Sequence, residues 1–153
     1  MADSMQSLLL PFLGILGGVF LSVQAPVNAN LGGRLGHPVL AAAVSFTAGM
    51  IMLYAIILLF GLRPQTDGGL RSVPVYLWFT GGLMGIAYMI VSIFLIPRIG
   101  TAAVIGTAVT GQLVTALLID RFGLLGVPMR EISLTRVVGA LLLLAGVVLI
   151  ARR

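Results

Sequence analysis

The chain has 153 residues, of which 59% are hydrophobic and 8% charged, with a mean hydropathy of +1.18. A soluble domain carries about a quarter charged residues, so this sequence cannot build a water-facing shell and reads as an all-α integral membrane protein. The net charge is +5, but its nine cationic side chains, all arginine, are scattered at the ends of apolar runs, where they anchor helices to headgroups. No basic stripe with interleaved aromatics exists, which excludes a nucleic-acid partner. The absence of cysteine excludes disulfides and thiolate chemistry. The opening MADSMQS holds one acid and no Lys or Arg, unlike the basic start of a cleaved signal peptide, so the first apolar run is expected to remain as a span.

A helix needs about twenty apolar residues to cross roughly 30 Å of hydrocarbon. Five runs qualify, at residues 8–31, 38–62, 74–96, 101–122 and 134–151, and they are expected to form one transmembrane domain covering residues 1–153. Gly/Pro/Asp-rich turns separate them, beginning with a turn over residues 32–37. Pro38 and Pro74 stand where helix-initiating proline is tolerated, and Pro97 is expected to close the third helix. Pro26 removes a backbone donor four residues after Ser22, which predicts a kink near Gln24. Membrane β-strands are excluded, because the runs are twice too long and show no strict alternation.

In the first run Gly14, Gly17, Gly18, Leu21, Gln24 and Asn28 fall along one helical stripe, opposite the plain hydrocarbon of Ile15, Val19 and Val23. A small-and-polar face within lipid should turn toward protein or a cavity. Similar faces follow in the second helix (Ala41, Ala42, Ser45, Gly49, Met52), the third (Trp78, Gly81, Gly85, Tyr88, Ser92) and the fourth (Thr101, Thr107, Gly111, Gln112, Thr115). Small residues at this spacing serve close helix packing, the role expected for Gly81, Gly85 and Gly111. Large polar or aromatic groups beside glycine point instead to a lined space. Gln24, Asn28, Ser45, Trp78, Tyr88, Ser92 and Gln112 are therefore the candidate cavity residues. The fifth helix carries Gly139, Leu142, Leu143, Gly146 and Ile150 with no polar group, the pattern of a packing or dimerisation helix.

Five spans place the termini on opposite sides. The N-terminal side then receives Arg63, Arg71, Arg121, Arg130 and Arg136, and the other side Arg34, Arg98, Arg152 and Arg153. Orientation needs an arginine excess on one side, and five against four gives almost none. Both orientations are expected, which permits an antiparallel dimer with its two-fold axis in the membrane plane. A faint echo, Arg34-Leu35-Gly36 after the first helix and Arg98-Ile99-Gly100 after the third, hints at a repeated hairpin.

Reactive chemistry is sparse. Among the acids, only Asp120 belongs to a span, beside Arg121 at a helix end. It is either an interfacial ion pair or a coupling carboxylate. His37, just before Pro38, suits a helix cap. One histidine, no cysteine and scattered acids cannot form a metal site. No nucleophile–base set, paired carboxylate or phosphate loop is present, so neither an enzyme nor a cofactor is expected. A carrier of organic cations needs a buried carboxylate. The first helix offers only the amides of Gln24 and Asn28, which favours neutral, zwitterionic or anionic cargo; the alternative is a cation whose charge is met by Asp120 or by Tyr88 and Trp78 through cation–π contact.

The residues Gln24, Asn28, Asn30-Leu31, Gly36, Ser45-Phe46 and Gly49, with Gly81-Gly82, Gly85 and Pro97-Arg98-Ile99-Gly100-Thr101-Ala102, resemble the YdcZ-like family. Gly111-Gln112-Leu113 and Ile119-Asp120-Arg121-Phe122-Gly123 extend the resemblance over nearly the whole chain. These are small multi-pass proteins of the bacterial inner membrane in the drug/metabolite transporter superfamily. The resemblance implies five helices per protomer and a unit of two inverted protomers, either a homodimer or a heterodimer with an oppositely oriented paralogue. Small multidrug-resistance relatives carry an ionisable glutamate in the first helix. Gln24 lies at a comparable depth and cannot ionise, which argues against proton-coupled cation export.

The function expected is alternating-access transport of small metabolites or drug-like solutes at a cavity between inverted protomers in lipid. A passive channel and a non-transporting subunit that stabilises a partner are the alternatives.

Overall fold

The computed structural model describes residues 2–65 and 69–151. Arg152 and Arg153, counted above among the arginines, lie outside the described residues. Five α-helices follow in order: α1 (Ala2–Leu35), α2 (Pro38–Phe60), α3 (Val75–Ile99), α4 (Thr101–Phe122) and α5 (Leu134–Ala151). All are long and apolar enough to cross a membrane, α1 through its segment Leu9–Leu35. In lipid the backbone must bond itself, and a helix does so within one segment. The 27 residues of that α1 segment rise about 40 Å, more than the hydrocarbon thickness, so α1 spans with tilt or projects beyond it.

The helix ends are set by local chemistry. Gly32, Gly33, Arg34 and Leu35 continue α1 where a turn was expected, and Arg34 Nε donates to Asn30 Oδ1 one turn back at 2.8 Å. Only Gly36 and His37 join α1 to α2, and His37 caps α2 by accepting from the Val39 amide at 3.2 Å. α2 ends at Phe60, two residues before the expected end. Gly61, at φ 60°, donates to Ile57 and Leu58 carbonyls, and the Leu62 amide bonds Ile57 at 3.0 Å. This is a glycine-capped stop, because a side chain at that φ is strained. Pro97 lies inside the last turn of α3, which runs on to Ile99. Gly100 alone, at φ 83°, separates α3 from α4. Ser133 caps α5 by accepting from the Arg136 amide at 3.3 Å.

The chain divides into two compact units, Met1–Pro97 and Arg98–Arg153. In the first, Ala41, Ala42, Met89 and Ile93 form a buried cluster with Leu31 and Ile90 against it. Ala41 is fully buried. A Cβ on Gly32 would stand 2.8 Å from Ile93 Cγ2 and 3.7 Å from the Ala41 Cβ. Small residues thus let the three helices close together near the α1–α2 bend. In the second unit α4 packs on α5, where a Cβ on Gly106 would meet both methyls of Val147 at 3.2 Å.

Candidate functional site

Above the seam at Gly32, Ala41 and Ile93, α1, α2 and α3 separate and leave a cavity of about 660 Å³. α1 contributes Leu21, Gln24, Ala25 and Asn28, and α2 runs from Ser45 and Phe46 to Tyr54 and Ile57. α3 supplies Gly85, Tyr88, Met89, Ser92 and Ile93. The volume is in the range of small-molecule sites, which are mainly apolar with few placed polar groups. Among the described residues, no Asp, Glu, Lys, Arg or His lines it.

The polar groups gather at the buried end. Asn28 is 4% exposed and Ser92 3%. Ser45 Oγ donates to Asn28 Oδ1 at 2.5 Å, and Asn28 Nδ2 donates to Met89 Sδ at 3.7 Å. The first bond ties α1 to α2 and the second ties α1 to α3, so one amide holds the three walls in register. Ser92 Oγ is buried without a partner among the described residues. Gln24 stands a turn further out and is exposed, while Tyr88 is half-buried. Gly85 permits the approach of α2, since a Cβ there would lie 3.3 Å from the Phe46 ring.

Five candidates thus meet in one cavity: Gln24, Asn28, Ser45, Tyr88 and Ser92. Trp78 shares the helical face of Tyr88 and Ser92 but lies outside the lining. Its indole Nε1 donates to the Val73 carbonyl at 3.4 Å, at the start of α3. A helical wheel gives azimuth and not depth, and Trp78 sits about 10 Å before Gly85 along the axis. Gln112 lies on α4, in the second unit, and is exposed. The α4 threonines spend hydroxyls on their own helix, Thr107 to Ala103 O at 2.9 Å and Thr110 to Gly106 O at 3.0 Å. A Cβ on Gly81, Gly111, Gly139 or Gly146 would meet nothing within 4 Å, so these glycines are not close-approach points within the chain.

The sequence reading missed Phe46, Met50, Leu53, Tyr54 and Ile57 as cavity wall. Their spacing, i, i+4, i+7, i+8 and i+11, is one helical face. In a span where every side is apolar, only the aromatic Phe46 and Tyr54 distinguish it.

In the second unit Asp120 Oδ2 pairs with Arg136 Nη1 at 3.2 Å, across the α4–α5 turn. The sequence neighbour Arg121 is not the partner in this pair. Asp120 sits at a helix C-terminus and Arg136 in a first turn, each at the dipole end of its own sign, so neither is there for the macrodipole and each offsets the other. The pair borders a smaller hollow of about 340 Å³ with Leu113, Leu117 and Gly139. Among the described residues no three His, Cys, Asp or Glu gather as a metal site.

These features define a small polytopic helical membrane protein with a neutral, solute-sized cavity among its first three helices. Residues 9–149 match the family described as "Putative inner membrane exporter, YdcZ", and the chain belongs to that family. It is 32% identical over 148 residues to "Inner membrane protein YdcZ" of Escherichia coli (strain K12), covering 97% of each chain. No solved structure matches. The protein is a multi-pass protein of the inner membrane, and its family's description points to membrane transport.

Proposed function

We propose that the protein carries small solutes across the inner membrane by alternating access, as a dual-topology pair of inverted protomers. The observation that carries this is the cavity whose buried end presents Asn28, Ser45 and Ser92 inside an otherwise apolar wall. A merely structural bundle would fill that space with side chains, because interiors are close-packed. With no Asp, Glu, Lys, Arg or His among the described wall residues, an ion would be held there without a counter-charge, so the cargo is uncharged or internally balanced. The inverted pairing is supported by the near-equal division of arginines between the two sides. It is also supported by Gly81, Gly111, Gly139 and Gly146, whose open faces suit a second helix surface.

Paired cytoplasmic-active and periplasmic-active reporters fused after Arg153 test the pairing. Comparable signal from both is expected, and a single orientation overturns the self-inverted dimer. Counterflow in proteoliposomes tests carriage. Saturable exchange supports a carrier, whereas large non-saturating flux indicates a channel. Absence of flux with a co-purifying membrane partner indicates a stabilising subunit.

A further inference from the structure

The buried end of the cavity holds a polar atom that the fold leaves unsatisfied, Ser92 Oγ. Hydroxyls on helices ordinarily satisfy themselves by donating to the carbonyl one turn back. This chain does so at Ser22, which bonds Gly18 O at 2.9 Å, and again at Thr107 and Thr110. Ser92 makes no such bond, although it is 3% exposed and bears the full desolvation penalty of a buried hydroxyl. Packing gives no reason to retain it, since alanine would leave the same wall without the orphan.

Asn28, which lines the same cavity, takes the Ser45 hydroxyl on one lone pair of its Oδ1. Its amide nitrogen has two N–H donors, and the contact at Met89 Sδ offers one of them only a weak acceptor. The unspent protons at the buried end are therefore those of the Ser92 hydroxyl and one Asn28 N–H, and a buried donor left without an acceptor is costly. The walls above it carry the rings of Phe46, Tyr54 and Tyr88, and no charged residue.

We propose that the cavity recognises an uncharged, ring-bearing solute through an acceptor oxygen, a carbonyl or ether, which takes the Ser92 hydroxyl proton as a hydrogen bond beside Asn28 Nδ2. This rests on the transport reading above and specifies its cargo. The aromatic wall supplies the apolar contact area and ring stacking, while the donor pair fixes which end of the solute enters first. A solute lacking the oxygen leaves the hydroxyl unpaired and binds more weakly. A cation finds donors where it needs a carboxylate.

The test uses the full chain in lipid nanodiscs, with fluorescent 7-methoxycoumarin as the bound probe. Displacement is measured with coumarin, with naphthalene as the two-ring analogue lacking oxygen, and with tetraphenylphosphonium as a cation. Coumarin is expected to displace the probe at about tenfold lower concentration than naphthalene, the discrimination one neutral hydrogen bond supports. Ser92→Ala is expected to bring that ratio near unity by weakening coumarin alone. Its thermal midpoint should stay level or rise, because it removes an unsatisfied buried hydroxyl, so lost discrimination is not misfolding. Ser22→Ala, which deletes a self-satisfied hydroxyl outside the lining, should leave the ratio unchanged. An undiminished ratio in Ser92→Ala overturns the proposal, as does equal displacement by tetraphenylphosphonium. Saturable counterflow of another solute without coumarin binding overturns the cargo class alone. Absence of both overturns the transport reading with it.

Discussion

The two units use small residues to opposite ends. In α4–α5, Gly106 faces Val147 and a bulky side chain fills the notch, so the glycine makes a seam. In α1–α3 the same device works at one level only, where Gly32 receives Ile93 and Ala41 is sealed. Further along these helices Gly49 and the open side of Gly85 line space, and the walls hold Asn28, Ser45 and Ser92. A small residue thus makes a contact or a cavity according to what stands opposite it. Polar groups differ in the same way. The second unit pairs the Asp120 carboxylate with Arg136 and returns Thr107 and Thr110 to their own backbone. The first unit knits Asn28 across three helices and leaves Ser92 unpaired.

The contrast can be broken most severely at Gly32. Gly32→Val drives a methyl into the Ile93 side chain, with the Cβ at 2.8 Å before relaxation. Overpacking of this kind costs about 1–3 kcal/mol, read as a lower midpoint in detergent-induced unfolding. Ile93→Ala in the same chain should recover part of the loss, and its failure to do so would remove Gly32 from the seam. Gly106→Val tests the other unit. Its Cβ meets the Val147 methyls at 3.2 Å, so the expected loss is smaller, about 1 kcal/mol, and Val147→Ala should relieve it.

Asp120→Asn sharpens the comparison of charges. The pair is about one-third exposed on both sides, so its loss should cost less than about 1 kcal/mol. If solute counterflow becomes insensitive to a proton gradient while stability holds, the carboxylate couples transport. If flux and its pH profile are unchanged, it serves only to bind α4 to α5. The smallest loss is expected at Gly81→Ala and Gly139→Ala. Each added Cβ meets nothing within the chain, so monomer stability should not fall and gains at most about 1 kcal/mol of helix propensity. A fall in the dimer fraction, measured by energy transfer between labelled protomers in vesicles, would place these faces at the protomer interface. No fall would exclude them from it.

Much of the architecture was legible because hydrocarbon imposes a simple rule. Every backbone polar group must be bonded inside its own segment, so five long apolar runs became five helices. The run past Leu31 was hidden, because Gly32-Gly33 reads as a turn in water, whereas in lipid the helix must continue until another partner for its backbone appears. The polar half of the cavity was legible for a related reason: Gln24, Asn28, Ser45, Tyr88 and Ser92 stand out against hydrocarbon. The apolar half was not, since Met50, Leu53 and Ile57 have the same chemistry whether they face lipid or a void.

The sequence by itself determined the five spanning helices, the neutral character of the cavity's polar residues and the near balance of arginines. The tertiary structure decided depth. It separated Trp78 from the cavity although they share a helical face, and chose Arg136 over the adjacent Arg121 as partner of Asp120. Among the described residues it also left the buried Ser92 hydroxyl without a partner. Periodicity fixes a side chain's angle around its own axis, whereas these choices depend on how far along that axis another helix comes close.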